Sequence, residues 1–350
     1  MGHIAADTGP GLREVVDQAV TTFRWRYDSE SPRLRTLYEK SKRLHWNASM
    51  DLDWSIEVDP DAENVPDFQI PIYGSEIWDR LTARERVEVR REFTRWVLSQ
   101  FLHGEQGALL CTAQIATAAD DLDAKLYAAQ QVADEARHVE AYSRYLTEKY
   151  EGIAPINDPL WGLMEDTVRD SRPDMTQLGM QVMIEGLALA AFGMMHQLSR
   201  EPLLTRMIRQ IMNDESRHVA FGVLYLKDRY AQLSAAELRE REDFAFEAAL
   251  HMRDRFVARE LWERLGLPVD ECVRLYMTSP IMSEYRKMLF SRIVPNLKRI
   301  GLLTPALRAR LAPLDVLQFE DLPADDETHE AVEMAAHMAG QGPGSPTLAG

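Results

Sequence analysis

The signature Asp-Glu-x-Arg-His occurs twice in this 350-residue chain, at Asp134-Glu135-Ala136-Arg137-His138 and at Asp214-Glu215-Ser216-Arg217-His218. Each copy follows a lone glutamate in an apolar stretch, Glu105 or Glu185, placed 30 residues before the Glu of its signature. Four carboxylates and two imidazoles, all of metal-ligand type, therefore fall into two matched halves. A single Glu-x-x-His is commonplace in an acidic chain with nine histidines and by itself reads as a solvated helix face. A second copy, with the same Asp and Arg and the same distance to an upstream Glu, makes accident a poor account.

Helix geometry gives the spacing a meaning. Residues three apart share a helix face, so the Glu and His of each signature can reach one centre. From Glu105 the chain climbs about four turns to a polar break at Ala119, Asp120 and Asp121, then descends about four turns to Glu135. The second half repeats this around the break at Ser199, Arg200, Glu201 and Pro202. Two helical hairpins, each with its ligands level, pack into a four-helix bundle. Glu105 and Glu185 then come from two helices, and Glu135/His138 and Glu215/His218 from the other two, the pattern of a dinuclear carboxylate metal centre.

The neighbours of these glutamates are apolar: Leu98, Phe101, Leu102 and Ala108 around Glu105, Val182, Leu189 and Phe192 around Glu185, Ile208, Ile211 and Val219 around Glu215. Carboxylates on buried stripes need pairing or metal. Two divalent cations would balance four glutamates and leave both imidazoles neutral. Oxygen-rich sets with imidazole suit iron or manganese, whereas structural zinc prefers thiolate-rich tetrahedra. Cys111 and Cys272 form no CxxC and read as core thiols. A ligating His commonly donates its far ring N–H to a carboxylate. Asp134 and Asp214 are the natural acceptors, each serving the opposite helix, with Arg137 and Arg217 balancing their charge.

At these residues the chain resembles the ferritin-like di-iron carboxylate superfamily, in its oxygen-activating branch. That branch includes bacterial multicomponent monooxygenase hydroxylase subunits, the radical-bearing small subunit of ribonucleotide reductase, acyl-carrier-protein desaturases and aminobenzoate N-oxygenases. The resemblance spans about residues 82 to 232. It implies one iron on Glu105, Glu135 and His138 and another on Glu185, Glu215 and His218, with Glu135 and Glu215 bridging and a manganese–iron pair as the alternative. It further implies that these six residues carry catalysis, with O2 as co-substrate. The implied activity is that of an oxidase or monooxygenase acting on a small, largely apolar molecule, free or tethered to a carrier protein.

Three other readings stand beside it. Tyr142, four residues after His138, occupies the place of the radical tyrosine in the reductase subunit, although residues 324–350 lack that subunit's aromatic-rich docking peptide. Aminobenzoate N-oxygenases carry an additional His one turn before the second Glu-x-x-His, where this chain has Ile211, which counts against N-oxygenation without excluding it. A non-enzymatic ferroxidase or iron-binding role is the third, although iron storage is disfavoured by length, since storage ferritins are about half this size.

The expected fold is all-α: a ferritin-like four-helix bundle with additional N- and C-terminal helices. No Gly-, Ser- or Pro-rich linker interrupts residues 75 to 312, so residues 1–320 are expected to form one helical domain, followed by an acidic and then flexible tail over 321–350. Thr82 to Glu85 and Ser234 to Glu237 have capping-box form. Helices are expected near 12–27, 32–46, 82–118, 121–150, 174–199, 202–232 and 235–265, with shorter ones near 268–278, 283–299 and 304–311. The proline-bearing stretch 47–75 is expected to cross the bundle irregularly, with Trp46 and Trp54 packed over it. Small residues crowd the upstream ligands, at Gly104, Gly107 and Ala108 and at Gly186, Ala188 and Gly193, either to leave room for O2 and substrate or to let helices approach closely.

A net charge of −16 argues against a nucleic-acid partner. No apolar run is expected to cross a bilayer, and no signal sequence is visible, so the expected location is a reducing cytoplasm with no membrane partner. No flavin, nicotinamide or iron–sulfur motif is present, so electrons are expected from a separate reductase or ferredoxin. A homodimer is compatible with a helical chain of this surface.

Overall fold

The computed structural model describes residues 13–16, 20–170 and 172–328. Helices named here are α1 (Pro32–Arg43), α2 (Ala83–Ala118), α3 (Leu122–Lys149), α4 (Asp158–Arg169), α5 (Pro173–Leu198), α6 (Pro202–Tyr230) and α7 (Ala235–Asp254). Helices α2 and α3 form one hairpin and α5 and α6 the other. Helix α1 lies across α3 and α6, while α4 and α7 pack together on the outside.

The ends of these helices follow from local chemistry. Thr82 and Glu85 satisfy each other's backbone N–H groups at the start of α2, and Ser234 and Glu237 do so for α7. The first hairpin turns at Ala119, whose extended backbone ends α2, and Asp121 caps α3 by accepting from the Asp123 and Ala124 N–H groups. The second turns at Ser199. Pro202 opens α6, and the Glu201 carboxylate accepts from Leu203 and Leu204 N–H at 2.7 and 2.6 Å and from the Tyr145 hydroxyl at 2.8 Å. That carboxylate ties the second hairpin to the first.

Helix α5 is not uniform. Residues Leu178–Ile184 form a π-helical stretch that ends at Glu185. Wider turns of this kind recur at functional sites because they displace side chains from the regular helical face. Neighbours close tightly around it: a Cβ at Gly179 would stand 2.8 Å from Thr167 of α4 and 2.9 Å from Phe244 of α7, and one at Gly222 of α6 would stand 2.5 Å from the Gln181 Cβ. Contrary to the sequence expectation, α5 is long and apolar enough to cross a bilayer, but 78% of its most apolar window is buried among other helices. Its apolarity is that of a central core helix.

Other departures are local. Among the described residues of the expected helix 12–27, none is helical. Val20, Thr21 and Thr22 are β-branched, and the Thr22 N–H pairs with the Thr117 carbonyl at 2.9 Å rather than within its own segment. Helix α4 was not expected. The expected 235–265 helix breaks after Asp254, where Ala258 takes a left-handed conformation, and 283–299 divides into Pro280–Met288 and Ile293–Arg299. The acidic segment after residue 320 is docked where it is described. Asp325 is buried and bonded to Asn296 and Arg292, and Asp326 pairs with Arg299. The flexible end expected for the 321–350 tail lies outside the described residues.

Gly222→Ala should lower stability by about 1–3 kcal/mol, because the new methyl group must push the π-helical stretch off α6. Thermal unfolding measures this, and an unchanged midpoint would show that the contact is dispensable.

Candidate metal centre

All six side chains singled out in the sequence converge at mid-bundle: Glu105 from α2, Glu135 and His138 from α3, Glu185 from α5, Glu215 and His218 from α6. All are buried. His138 Nδ1 lies 3.1 Å from Glu105 Oε2, 3.3 Å from Glu135 Oε2 and 3.1 Å from Glu215 Oε1. His218 Nδ1 lies 3.0 Å from Glu135 Oε1 and 3.5 Å from Glu215 Oε2. Two ligand sets result, Glu105/Glu135/His138/Glu215 and Glu135/Glu185/Glu215/His218, each with its donor atoms within 4.8 Å of one another. Glu135 and Glu215 belong to both.

Crowding without hydrogen bonding marks the interior of the cage. Glu135 Oε2, Glu185 Oε2, both Glu215 oxygens and His218 Nδ1 are buried and make no directed hydrogen bond. Buried polar atoms are rarely left so. A shared cation satisfies such a set where a shared proton does not, so the residues present fit a pair of metal ions. Burial, with the Glu215 charge next, pushes Glu105 up to about 8. Burial and then Glu215 and Glu135 push Glu185 up as well. Burial would raise Glu135 too, but His218 and His138 outweigh it and hold that carboxyl below its ordinary range. Burial opposes charge on both imidazoles, yet the carboxylates around them raise each well above the ordinary histidine value.

The aspartates act crosswise. Asp214 of α6 accepts from His138 Nε2 of α3 at 3.1 Å, and Asp134 of α3 faces His218 Nε2 of α6 at 3.3 Å. This leaves each Nδ1 lone pair directed into the cage. Arg137 pairs with Asp134 and also reaches Asp214 at 3.4 Å, while Arg217 pairs with Asp214.

Several contributions escaped the sequence reading, which packed Trp46 and Trp54 over the bundle and gave neither a role at the ligands. Trp46, beyond the end of α1, donates its indole N–H to Asp214 Oδ2 at 2.7 Å, and the Ser41 hydroxyl donates to Asp134 at 3.0 Å. Trp54 packs nearby, its indole N–H on the Ala48 carbonyl. Gln131 Nε2 donates to Glu135 at 3.0 Å and Glu185 at 2.9 Å. Its position one turn before Glu135, on the same face, was the available signal. The matching position in the second half is Ile211, fully buried and apolar. Tyr142 is fully buried beside Phe101 and Phe192, its hydroxyl without a partner, and burial followed by Glu105 raises its pKa well above the ordinary value. Of the small residues, Gly107 serves close packing, since a Cβ there would meet Met164 Sδ at 2.0 Å, whereas Gly104 borders a narrow cavity with Glu105, Glu185 and Glu215.

Solved structures of an R2-like ligand-binding oxidase with a reconstituted Mn/Fe cofactor share the fold. One variant aligns with a TM-score of 0.55 at 20% identity, covering 79% of this chain and 94% of that one. A second aligns at 0.50 and 20%, covering 78% and 94%. Among curated proteins none matches the sequence. The family model described as p-aminobenzoate N-oxygenase AurF matches residues 28–301, a span that holds every residue of the cage and the α1 segment that closes it. The chain therefore belongs to the p-aminobenzoate N-oxygenase AurF family, and with it to the oxygen-activating oxidoreductases of ferritin-like fold.

Proposed function

We propose that Glu105, Glu135, His138, Glu185, Glu215 and His218 hold two iron ions, or a manganese–iron pair, with Glu135 and Glu215 shared between them. On this reading the enzyme uses O2 to oxidise a small organic substrate, and N-oxygenation of an aromatic amine is the form that family membership favours. The observation that carries it is the convergence of six buried ligand-type side chains into two overlapping sets. Metals held there would supply the redox chemistry for using O2, with two electrons from an external donor. In the monooxygenase form, one oxygen atom enters the substrate and the other leaves as water with two protons.

The chain's own residues arrange the rest. Asp134 and Asp214 hold the Nε2 protons of His218 and His138, which keeps both rings aimed and the Nδ1 atoms free to bind. Arg137 and Arg217 neutralise those aspartates, so the four glutamates are left for the cations alone. Gln131 restrains Glu185 against Glu135. Phe101, Ala108, Ile184 and Phe192 wall the cavity and exclude water. Electrons come from a separate reductase or ferredoxin, and a reducing cytoplasm suits the free, buried Cys111 and Cys272. A second reading assigns Tyr142 a radical, favoured by its buried, unpartnered hydroxyl.

Glu135→Ala and His218→Ala should each abolish loading of two metals per chain while circular dichroism stays helical; two metals retained in either variant, by elemental analysis, would refute the ligand set. In the metal-free protein, Glu105 titrates at about 8, above its unfolded value, and both histidines are raised in the same sense. Their protons stabilise the fold fully below the unfolded values and cease to do so as pH rises through the folded ones. Calorimetry should therefore show the metal-free chain losing melting temperature above neutral pH while the loaded chain does not, and parallel curves would contradict this. Exposure of the Fe(II) protein to air should give no tyrosyl resonance on the leading reading. A tyrosyl signal that disappears in Tyr142→Phe would favour the second.

A further inference from the structure

The most apolar helix of the chain carries a polar lane. From Pro173 to Met195, α5 has only five polar side chains, Asp174, Thr176, Gln177, Gln181 and Glu185. Asp174, Gln177, Gln181 and Glu185 follow one another at intervals of three, four and four residues, so they share a face that leads from the end of the bundle to the cage. Helix α3 repeats the pattern with Asp123, Tyr127, Gln131 and Glu135, each four residues after the last. Both lanes start at the same end of the bundle. Tyr230, closing α6, reaches the Asp174 carbonyl at 3.4 Å, and its neighbour Arg229 pairs with Asp120 in the α2–α3 turn.

Between those ends the polar groups are sealed from solvent and underbonded. Tyr127, Gln131, Gln177 and Gln181 are all fully buried. The Tyr127 hydroxyl, the Gln131 and Gln181 carbonyl oxygens and both ends of the Gln177 amide make no hydrogen bond. Gln181 Nε2 reaches the Thr112 hydroxyl of α2 at 3.5 Å, and Gln131 joins the two lanes by donating to Glu135 and Glu185. Buried polar atoms of this kind are ordinarily satisfied by internal water, which bonds to several protein groups at once. The outer ends of the lanes differ. Both oxygens of Asp123 are taken by Ser29, Glu30, Ser31 and Arg35, whereas the Asp174 side chain is 19% exposed beside Arg241 and marks the opening. On the far side of the cage, toward the Ser199 turn, apolar side chains close the interior, with Phe101 edge-on to Phe192 at 4.8 Å.

We propose that the two lanes hold a file of water molecules, bonded to Gln177, Gln181, Tyr127 and Gln131, that conducts protons from the Asp174 end of the bundle to the cage. This rests on the dinuclear reading above and adds the route by which its protons arrive. In the monooxygenase form, two electrons from the external donor and two protons from solvent turn one oxygen atom of O2 into water while the other enters the substrate. Each water of the file accepts a proton from its outer neighbour and releases another inward, so no charge stays in the apolar core. The amides fix the waters with their N–H donors and carbonyl acceptors, and the Tyr127 hydroxyl does both.

The test has two arms. A high-resolution crystal structure of the metal-free wild type should show ordered waters bonded to Gln177, Gln181 and Tyr127. Amides paired with one another or with backbone, and a dry lane between them, would overturn the file. In the second arm, O2 uptake by the iron-loaded protein is driven by ascorbate and measured in H2O and in D2O. Gln177→Leu should keep the wild-type iron content, slow uptake by at least about tenfold and enlarge the ratio of the H2O and D2O rates. Gln177→Asn, which keeps an amide there, should rescue both. An undiminished rate in Gln177→Leu would rule out the proton route, and so would a slower rate with an unchanged ratio, which is the mark of a structural role. Should Gln177→Leu fail to fold, Tyr127→Phe, which removes one oxygen atom, takes its place with the same expected outcomes. A wild type that loads no iron or leaves O2 untouched refutes the dinuclear reading instead, and the waters alone then decide for the file.

Discussion

Six carboxylates withdrawn from water into the middle of an apolar helical bundle are the constraint that organises this protein: Glu105, Glu135, Glu185, Glu215, Asp134 and Asp214 are all 5% exposed or less. Charges so placed are tolerated only when compensated. The compensation here is distributed. Arginines one turn along neutralise the aspartates, the aspartates fix the histidines of the opposite helix, and on the dinuclear reading two divalent cations neutralise the glutamates. Because Asp134–His218 and Asp214–His138 run between α3 and α6, the same contacts that orient the ligands hold the two hairpins together. Metal binding and bundle packing are therefore one linked equilibrium.

This linkage explains why the architecture was legible in sequence. Equal climbs and descents around Ala119–Asp121 and Ser199–Pro202 are needed to bring the ligands level, and the turn chemistry at those points is local: Asp121, Glu201 and Pro202 act on residues within one turn. The capping boxes at Thr82 and Ser234 are local for the same reason. The π-helical stretch before Glu185 was not legible, since it is accommodated by glycines whose clearance is used by Thr167, Phe244 and Gln181 from other helices. The break after Asp254 is equally non-local, with the Arg255 carbonyl held by Asn157, which caps α4. At the N-terminal side, residues 20–31 spend polar groups on the α2–α3 turn, where Ser29, Glu30 and Ser31 all donate to Asp123.

The site divides along the same line. Ligands and their aspartates obey helical spacing, so a repeated motif exposes them. Trp46, 168 residues from Asp214, and Arg255, 155 residues from Gln100, reach the centre through tertiary packing, and no periodicity announces them. Gln131 is intermediate. Its spacing from Glu135 was visible, but a buried glutamine at that spacing is ordinary until Glu185 arrives from another hairpin.

The two halves repeat in their ligands and differ in everything around them. On the Glu105–His138 side stand Tyr142, Arg255 and, through Asp214, Trp46; on the Glu185–His218 side stand Gln131, Tyr127 and, one turn before Glu215, Ile211. A ligand's basicity follows the hydrogen bonds and charges behind it. On the dinuclear reading, two positions with the same donor types therefore meet unequal surroundings. The cation at Arg255 adds positive potential near Glu105, whereas the Gln131 amide stabilises the charge on Glu185 by direct donation. A cage with matched ligands and unmatched neighbours is the physical condition under which two ions, or two oxidation states of one ion, occupy distinguishable places.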